Sequence, residues 1–257
     1  YILLLTLVCA CLIVSTPSWA VELTSGKYAN VFIEKENVII NTSAEAKISL
    51  KDENGNEIAL KTGNGKINFG KLNPGYYEAV TENVKLPLVV VIDPAKRVKG
   101  DSSVAIDNAM SWLVPQTEFK SMAKILKLCG ITWVRERLTW GEIEKERGKF
   151  DWGKYNASAD ALSQEGIKIF QISHDSPAWA RKDKITNAAP DDLRDVYNYA
   201  KAAAKHFKGK VSAWEFWNEP DIAFFRYPSS ECAALQKAAF LGMKDGNKGM
   251  KVLGPSM

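Results

Sequence analysis

The hydrophobic pattern of the chain changes period part-way along. Over residues 21–95 it reads in twos. Val31-Phe32-Ile33 and Val38-Ile39-Ile40 are short apolar runs, and residues 47–50 and 57–60 alternate in polarity on either side of Asn54-Gly55. Alternation around Asn-Gly is a strong local hairpin signal. Asn64-Gly65 marks a further turn. Asn73-Pro74-Gly75 precedes strand candidates at 76–80 and 88–92. Short strands with closely spaced turns predict a small all-β sandwich over 21–95. No helix follows Gly63-Asn64-Gly65, so it reads as a hairpin turn and not a phosphate loop. This domain shows no catalytic constellation. It reads as a structural flank in preference to a carbohydrate-binding module.

Residues 96–103 are polar and read as a linker. From 104 onward apolar residues recur at helical spacing between short apolar runs. Strands are predicted at 104–106, 131–135, 167–172, 211–217 and 250–253, with helices at 118–128, 155–164, 191–207 and 231–244. This alternation implies a parallel sheet with right-handed crossovers. A barrel and a doubly wound sheet both satisfy it. Polar groups recur just after successive strands: Asp107-Asn108, Arg135-Glu136-Arg137, His174-Asp175 and Asn218-Glu219. A barrel gathers all of these into one ring, whereas an open sheet gathers only those at its switch point. The expected fold class is therefore α/β, a partial (β/α)8 TIM barrel of about five strands over 104–257, preceded by the β-sandwich.

Composition narrows the function. The 257 residues are 46% hydrophobic and 25% charged, with a net charge of +4. Positive charges are interspersed with acidic ones, so neither a nucleic acid nor a nucleotide is an expected partner. His174 and His206 are the only histidines. No Cys/His cluster has metal-ligand spacing and no Gly-x-Ser-x-Gly occurs, so neither a metal nor a cofactor is expected. Cys129 and Cys232 are read as a disulfide or as two buried thiols. Residues 1–14 are apolar and uncharged, and Ser18-Trp19-Ala20 has small residues where a signal peptidase reads. Residues 1–20 are thus expected to be a signal peptide, which places the protein in the periplasm or outside the cell. Val8-Cys9-Ala10-Cys11 weakly resembles a lipoprotein box, with Cys11 as the alternative anchor. Nothing in the sequence speaks to oligomeric state.

The most informative stretch is Trp214-Glu215-Phe216-Trp217-Asn218-Glu219-Pro220. A buried strand ends there at a proline, which has no N–H for ladder pairing. Asn218 and Glu219 are delivered to the carboxyl end of the strand, where a barrel keeps its chemistry. Glu219 is read as a catalytic acid/base and Asn218 as a hydrogen-bond partner for a sugar hydroxyl. Trp112, Trp140, Trp179 and Trp217 fall near strand ends, where exposed indoles would offer apolar faces to sugar rings; core packing is the competing reading. Trp214 has the opposite strand parity to Trp217 and is assigned to the core. Glu215 shares the parity of Trp217 but lies deeper, and is expected to pair with Arg135. His174 and Asp175 are expected to shape the cleft, and His206, at a helix end, to be structural.

These residues resemble clan A retaining glycoside hydrolases. The likeness rests on the run 214–220, on Gly130-Ile131-Thr132-Trp133-Val134-Arg135 with Trp140, and on Gly148-Lys149-Phe150-Asp151-Trp152. Ser176-Pro177-Ala178-Trp179-Ala180 and Leu253-Gly254-Pro255 are most similar to the family 39 group, which includes β-xylosidases and α-L-iduronidases, while families 5 and 10 share the general pattern. The resemblance covers roughly 104–257. It implies cleavage of O-glycosidic bonds in plant- or microbial-type oligo- or polysaccharides by a retaining two-carboxylate mechanism, with Arg135 beneath the active site. It also implies a nucleophilic Glu at the end of a seventh strand. Neither Glu215 nor Glu136 is assigned that role. The chain is therefore expected to be an incomplete barrel whose nucleophile is missing, and to be inactive and aggregation-prone in isolation. A non-catalytic carbohydrate-binding or cell-surface protein on a decayed barrel is the second function class.

Overall fold

The computed structural model describes residues 21–97, 100 and 104–256. The expected signal peptide, including Cys11, lies outside the described residues, as does most of the expected linker. The chain divides into two compact units between Ile92 and Asp93, and each has a core of its own.

The first unit is one mixed sheet of six strands: β1 (Leu23–Thr24), β2 (Val31–Ile33), β3 (Asn37–Asp52), β4 (Glu57–Lys71), β5 (Gly75–Val80) and β6 (Lys85–Val91). The order β1-β3-β5-β6-β2 has β4 as an additional partner of β3. Asn54-Gly55 turns the β3–β4 hairpin, with Gly55 at a φ of 82°. The second turn signal acts differently. Gly63-Asn64-Gly65 lies inside β4, where Thr42 pairs with Gly65 and Ala46 with Gly63, so β3 bulges there. Gly65 has a φ of 78°, and its N–H donates to the Thr42 hydroxyl. A bulge bends a strand and increases its twist. The hairpin curls, and one face of a single sheet, including Ile40, Ile48, Leu50, Phe69 and Leu88, closes on one core. The layered packing expected of a sandwich is thus achieved by one connected sheet.

The second unit alternates strand and helix: β7 (Ala105–Asp107), α1 (Met110–Leu113), α2 (Phe119–Leu128), β8 (Trp133–Thr139), α3 (Trp140–Ile143), α4 (Gly153–Gln164), β9 (Lys168–His174), α5 (Leu193–His206), β10 (Val211–Phe216), α6 (Ser229–Gly246) and β11 (Lys251–Leu253). All neighbouring strands are parallel, and their order in the sheet is their order in the chain. A doubly wound sheet reverses direction at a switch point, whereas a barrel does not. The unreversed order is that of a partial TIM barrel.

Period-2 alternation sorts the strands into two faces. Val134, Leu138, Ile169, Trp214 and Phe216 meet the helices in the core. Arg135, Arg137, Phe170, Ile172, Ala213 and Glu215 occupy the other, inner face, in neighbouring registers. On the helix side, α5 buries Val196, Tyr199, Ala200, Ala203 and Ala204 at helical spacing. Its first turn is capped by Asp192, whose side chain accepts from the Arg194 N–H, and its last turn carries Lys205 and His206, which suits the helix dipole. Gly242 and Gly246 on α6 let it approach α5 closely: a Cβ at either would overlap a backbone carbonyl oxygen of α5. Both remaining cysteine alternatives need correction. Cys129 and Cys232 are free thiols, and only Cys232 is buried. Cys129 caps the exposed end of α2, beside Gly130.

Candidate active site

The inner face is organised by Arg135. Its Nε and Nη2 donate to the two carboxylate oxygens of Glu215 at 3.2 and 2.9 Å. Nη1 donates to Asp107 at 2.9 Å, and Nη2 also lies 2.9 Å from Asn218 Oδ1 and from Ser256 Oγ. The Glu215 side chain is only 2% exposed. A carboxylate removed from water to that degree needs both a countercharge and further donors. Arg135 supplies the first, and the Ser256 N–H, at 2.7 Å, is one of the second. Asp107 is held by two guanidiniums, since Arg137 also donates to it through Nε at 3.1 Å and through Nη2. Burial acts to raise the Asp107 pKa, but the Arg137 and Arg135 contacts outweigh it and hold the carboxyl below its usual range. The same contact with Asp107, with Glu219 and Glu215 adding at longer reach, raises the Arg137 pKa.

Asn218 and Glu219 leave the end of β10 above this network. Asn218 is buried, accepts from Arg135, and donates from Nδ2 to Glu219 Oε2 at 3.1 Å. The Glu219 N–H donates to the Ser256 carbonyl at 2.9 Å. The backbone here is strained. Trp217 and Glu219 have φ of 75° and 45°, and Asp175, after the neighbouring strand β9, has 56°. Left-handed conformations cost a non-glycine residue about 1–3 kcal/mol and persist where the surroundings enforce them. In this case Ser173 and Ser256 carbonyls fix the N–H groups of Trp217 and Glu219.

His174 ends the neighbouring strand β9. Burial, followed by the positive charges of Arg137 and Arg135, lowers its pKa to about 4. Its Nε2 is buried without a hydrogen-bond partner among the described residues. The imidazole is therefore neutral over the ordinary pH range. Burial raises the pKa of Asp175. The Trp112 ring tilts against His174 with centroids 4.9 Å apart, and the Arg137 guanidinium lies 5.8 Å from the indole centroid. An open cleft of about 320 Å³ runs past Asp107, Ala109, Trp112, Leu113 and Arg137.

The indoles divide between the two readings of the sequence: Trp112 is exposed, whereas two others are core residues. Trp140 and Trp217 are 2% and 3% exposed. Trp140 stacks on Tyr199 and donates to Glu144, while Trp217 meets the edge of Phe225 and donates to the Phe224 carbonyl at 2.8 Å. Both belong to the core. Parity holds only while the backbone is extended. Trp140 starts a helix and Trp217 has turned to positive φ, so neither follows the inner-face register. Trp179 is half-buried, with its N–H on the Glu144 carbonyl and Arg147 over its ring. Glu136 faces the helices, where it accepts from Asn108 and from the Met110 and Ser111 N–H groups. Asp107, Arg137 and Ser256 complete the network but were not singled out as site residues. For Arg137 the signal was present, since it shares the parity of Arg135. His206 stacks on Trp152 and bonds Asn156 at the end of α5, a structural position. Among the described residues no group of three His, Cys, Asp or Glu side chains is arranged to hold a metal ion.

Residues 97–224 match the family model for glycosyl hydrolase family 10. A family 39 glycoside hydrolase from the gut symbiont Bacteroides cellulosilyticus WH2 aligns over 89% of the chain with a TM-score of 0.67 and 18% identity. The chain spans half the length of that protein. GH5_18 from Streptomyces cattleya, solved in complex with GlcNAc, aligns over 59% of this chain and 43% of its own at 13% identity and a TM-score of 0.49. The family match and the family 39 fold agree at the level of the clan: the (β/α) unit of this chain is similar to the clan A glycoside hydrolases.

Proposed function

We propose that this protein hydrolyses O-glycosidic bonds of an oligo- or polysaccharide with Glu219 as the general acid/base. The observation that carries this reading is the position of Asn218-Glu219 at the carboxyl end of β10, bonded to each other and joined through Asn218 to the Arg135–Glu215 pair. A glycosidic acid must give its proton to the leaving oxygen and later take one from water. Glu219 is half-buried and, among the described residues, its carboxylate accepts one side-chain hydrogen bond, from Asn218. A carboxyl so placed retains capacity for a substrate oxygen. Asn218 holds its carboxamide between Arg135 and Glu219, which orients it toward the same space.

A retaining mechanism needs a second carboxyl group about 5–5.5 Å from the first. Glu215 is occupied by Arg135 and Ser256, and Glu136 faces the helices. The nucleophile is therefore assigned to no described residue. The reading is tested on the full-length protein with aryl glycosides of graded leaving-group ability. Glu219→Gln should lower kcat by about 10²–10⁴ for poor leaving groups and much less for dinitrophenyl glycosides, which need no proton. Added azide should restore turnover of the latter. Undiminished hydrolysis of poor leaving groups by Glu219→Gln would reject the assignment. Sugar binding with no turnover by the wild type would favour the carbohydrate-binding class.

A further inference from the structure

We propose that Glu136 is a positioning residue: from the helix face of β8 it holds residues 107–111 so that the Asp107 carboxylate meets Arg135 and Arg137 on the inner face. Its effect on turnover rests on the glycosidase reading, and its effect on Asp107 rests on geometry alone. Among the described residues β7 pairs only with β8, over the short stretch Ala105–Asp107. The Asp107 side chain is 37% exposed. Ion pairs open to water to that degree contribute little by themselves, so the backbone that carries Asp107 must set its position. The turn that follows is strained. Ala109 has a φ of 43°, a conformation that a non-glycine residue keeps only where its surroundings enforce it.

The enforcement comes from β8. The Arg135 carbonyl accepts from the Asn108 and Ala109 N–H groups at 3.0 and 3.4 Å, and the Arg137 carbonyl accepts from the Ser111 hydroxyl at 2.6 Å. Between these two residues, Glu136 turns its side chain to the opposite face. Its Oε1 accepts from Asn108 Nδ2 at 2.6 Å and from the Met110 N–H at 3.0 Å. Its Oε2 accepts at longer range, from the Ser111 N–H at 3.4 Å and the Ser158 hydroxyl at 3.5 Å. Val134 and Leu138, on the same face of β8, are apolar core residues, yet Glu136 is only 1% exposed. Burial pushes its pKa up, and the Met110, Asn108 and Ser111 donors act against that. If the turn moved away, those donors would leave with it, and a buried carboxylate would lose most of its hydrogen bonds, which is costly. Two carboxylates thus clasp one turn from opposite faces of β8. Asp107 in turn holds Arg135, which fixes Asn218 beside Glu219.

The test uses the full-length protein and two readouts. The first is the NMR signal of the Arg137 Nε–H, which donates to Asp107 at 3.1 Å. Glu136→Ala should shift or broaden it, while the signal of the Arg181 Nε–H, bonded to Asp183, stays in place. The second is hydrolysis of aryl glycosides with poor leaving groups. Misplaced groups slow chemistry more than they weaken binding, so kcat should fall about tenfold or more with KM little changed. A Glu136 that only completed the core would lower the melting temperature and move neither readout. Glu136→Gln keeps an acceptor for Asn108 and Met110 and should recover most of both. If Glu136→Ala does not fold, Asn108→Ala removes the shortest contact, leaves the carboxylate in place, and should move both readouts in the same direction. An unchanged Arg137 signal in the folded variant would overturn the placement of Asp107 by Glu136. A displaced signal with kcat unchanged would overturn its role in turnover. A wild type that hydrolyses no glycoside would reject the glycosidase reading, and the Arg137 signal alone would then decide for or against Glu136.

Discussion

His174 illustrates how a single side chain in this site is set by its surroundings. Its ring is buried against Trp112, two guanidiniums lie nearby, and no described group accepts from or donates to Nε2. Each factor disfavours the imidazolium. The folded pKa, about 4, lies below the unfolded value of about 6.5. Between these values the unfolded chain holds a proton that the folded one does not, so stability rises with pH across that window and is lost as pH falls from about 6.5 toward 4. The full difference amounts to about 3 kcal/mol. In an NMR titration the His174 ring should change protonation near pH 4, and His174→Asn should flatten the dependence of unfolding free energy on pH between 4 and 6.5. A His174 titration at or above 6.5 would show that the ring is solvated or paired. Sequence reasoning could place His174 at a strand end, but its charge state depends on Arg135 and Arg137, which reach it from the neighbouring strand.

At the scale of elements, β10 and the α5–α6 pair show what local patterning can and cannot decide. Along β10 the parity argument put Trp214 in the core and Glu215 beside Arg135, and these residues occupy those positions. The same argument fails two residues later, because Trp217 has left the extended conformation. Within α6, Gly242 and Gly246 look like weak points in a helix, since glycine costs about 1 kcal/mol relative to alanine. Their role appears only in the packing. A methyl at Gly242 would overlap the Tyr197 carbonyl oxygen and crowd Ala200 on α5. Backbone cannot move aside as a side chain can, so overpacking, typically about 1–3 kcal/mol, should outweigh the gain in helix propensity. Gly242→Ala is expected to lower the melting temperature, with Lys248→Ala as a control outside the contact. A rise in melting temperature would mean that α5 and α6 are farther apart than described.

At the scale of the whole molecule the chain is two cores joined at Ile92 and Asp93. The core of each unit is formed by that unit's own described residues. Trypsin in limiting amounts should therefore cut first in the basic stretch that includes Lys96, Arg97 and Lys99, giving two fragments that each keep their own secondary structure by circular dichroism. First cuts within the β3–β4 hairpin or in α5 would contradict that division. The five parallel strands run in chain order and resemble those of the glycoside hydrolase clan, while the chain spans half the length of its family 39 likeness.

The period of the hydrophobic pattern determined the two units, the alternation of strand and helix, and the delivery of Asn218-Glu219 to a strand end. These follow from local rules: side chains alternate along a strand, apolar faces recur along a helix, and proline stops a ladder. Tertiary structure alone decided that Asn64-Gly65 would lie within β4, opposite a bulge in β3, and not at a turn, because strand pairing with β3 runs through it. It also decided which indoles are buried and which one faces the cleft. Burial of a tryptophan depends on what packs over it from distant parts of the chain, and Trp112 differs from Trp140 in its neighbours, not in its own sequence signal. The network of Asp107, Arg135, Glu215, Asn218 and Ser256 is likewise tertiary. It joins the ends of four strand–loop segments that only the parallel sheet brings within hydrogen-bonding distance.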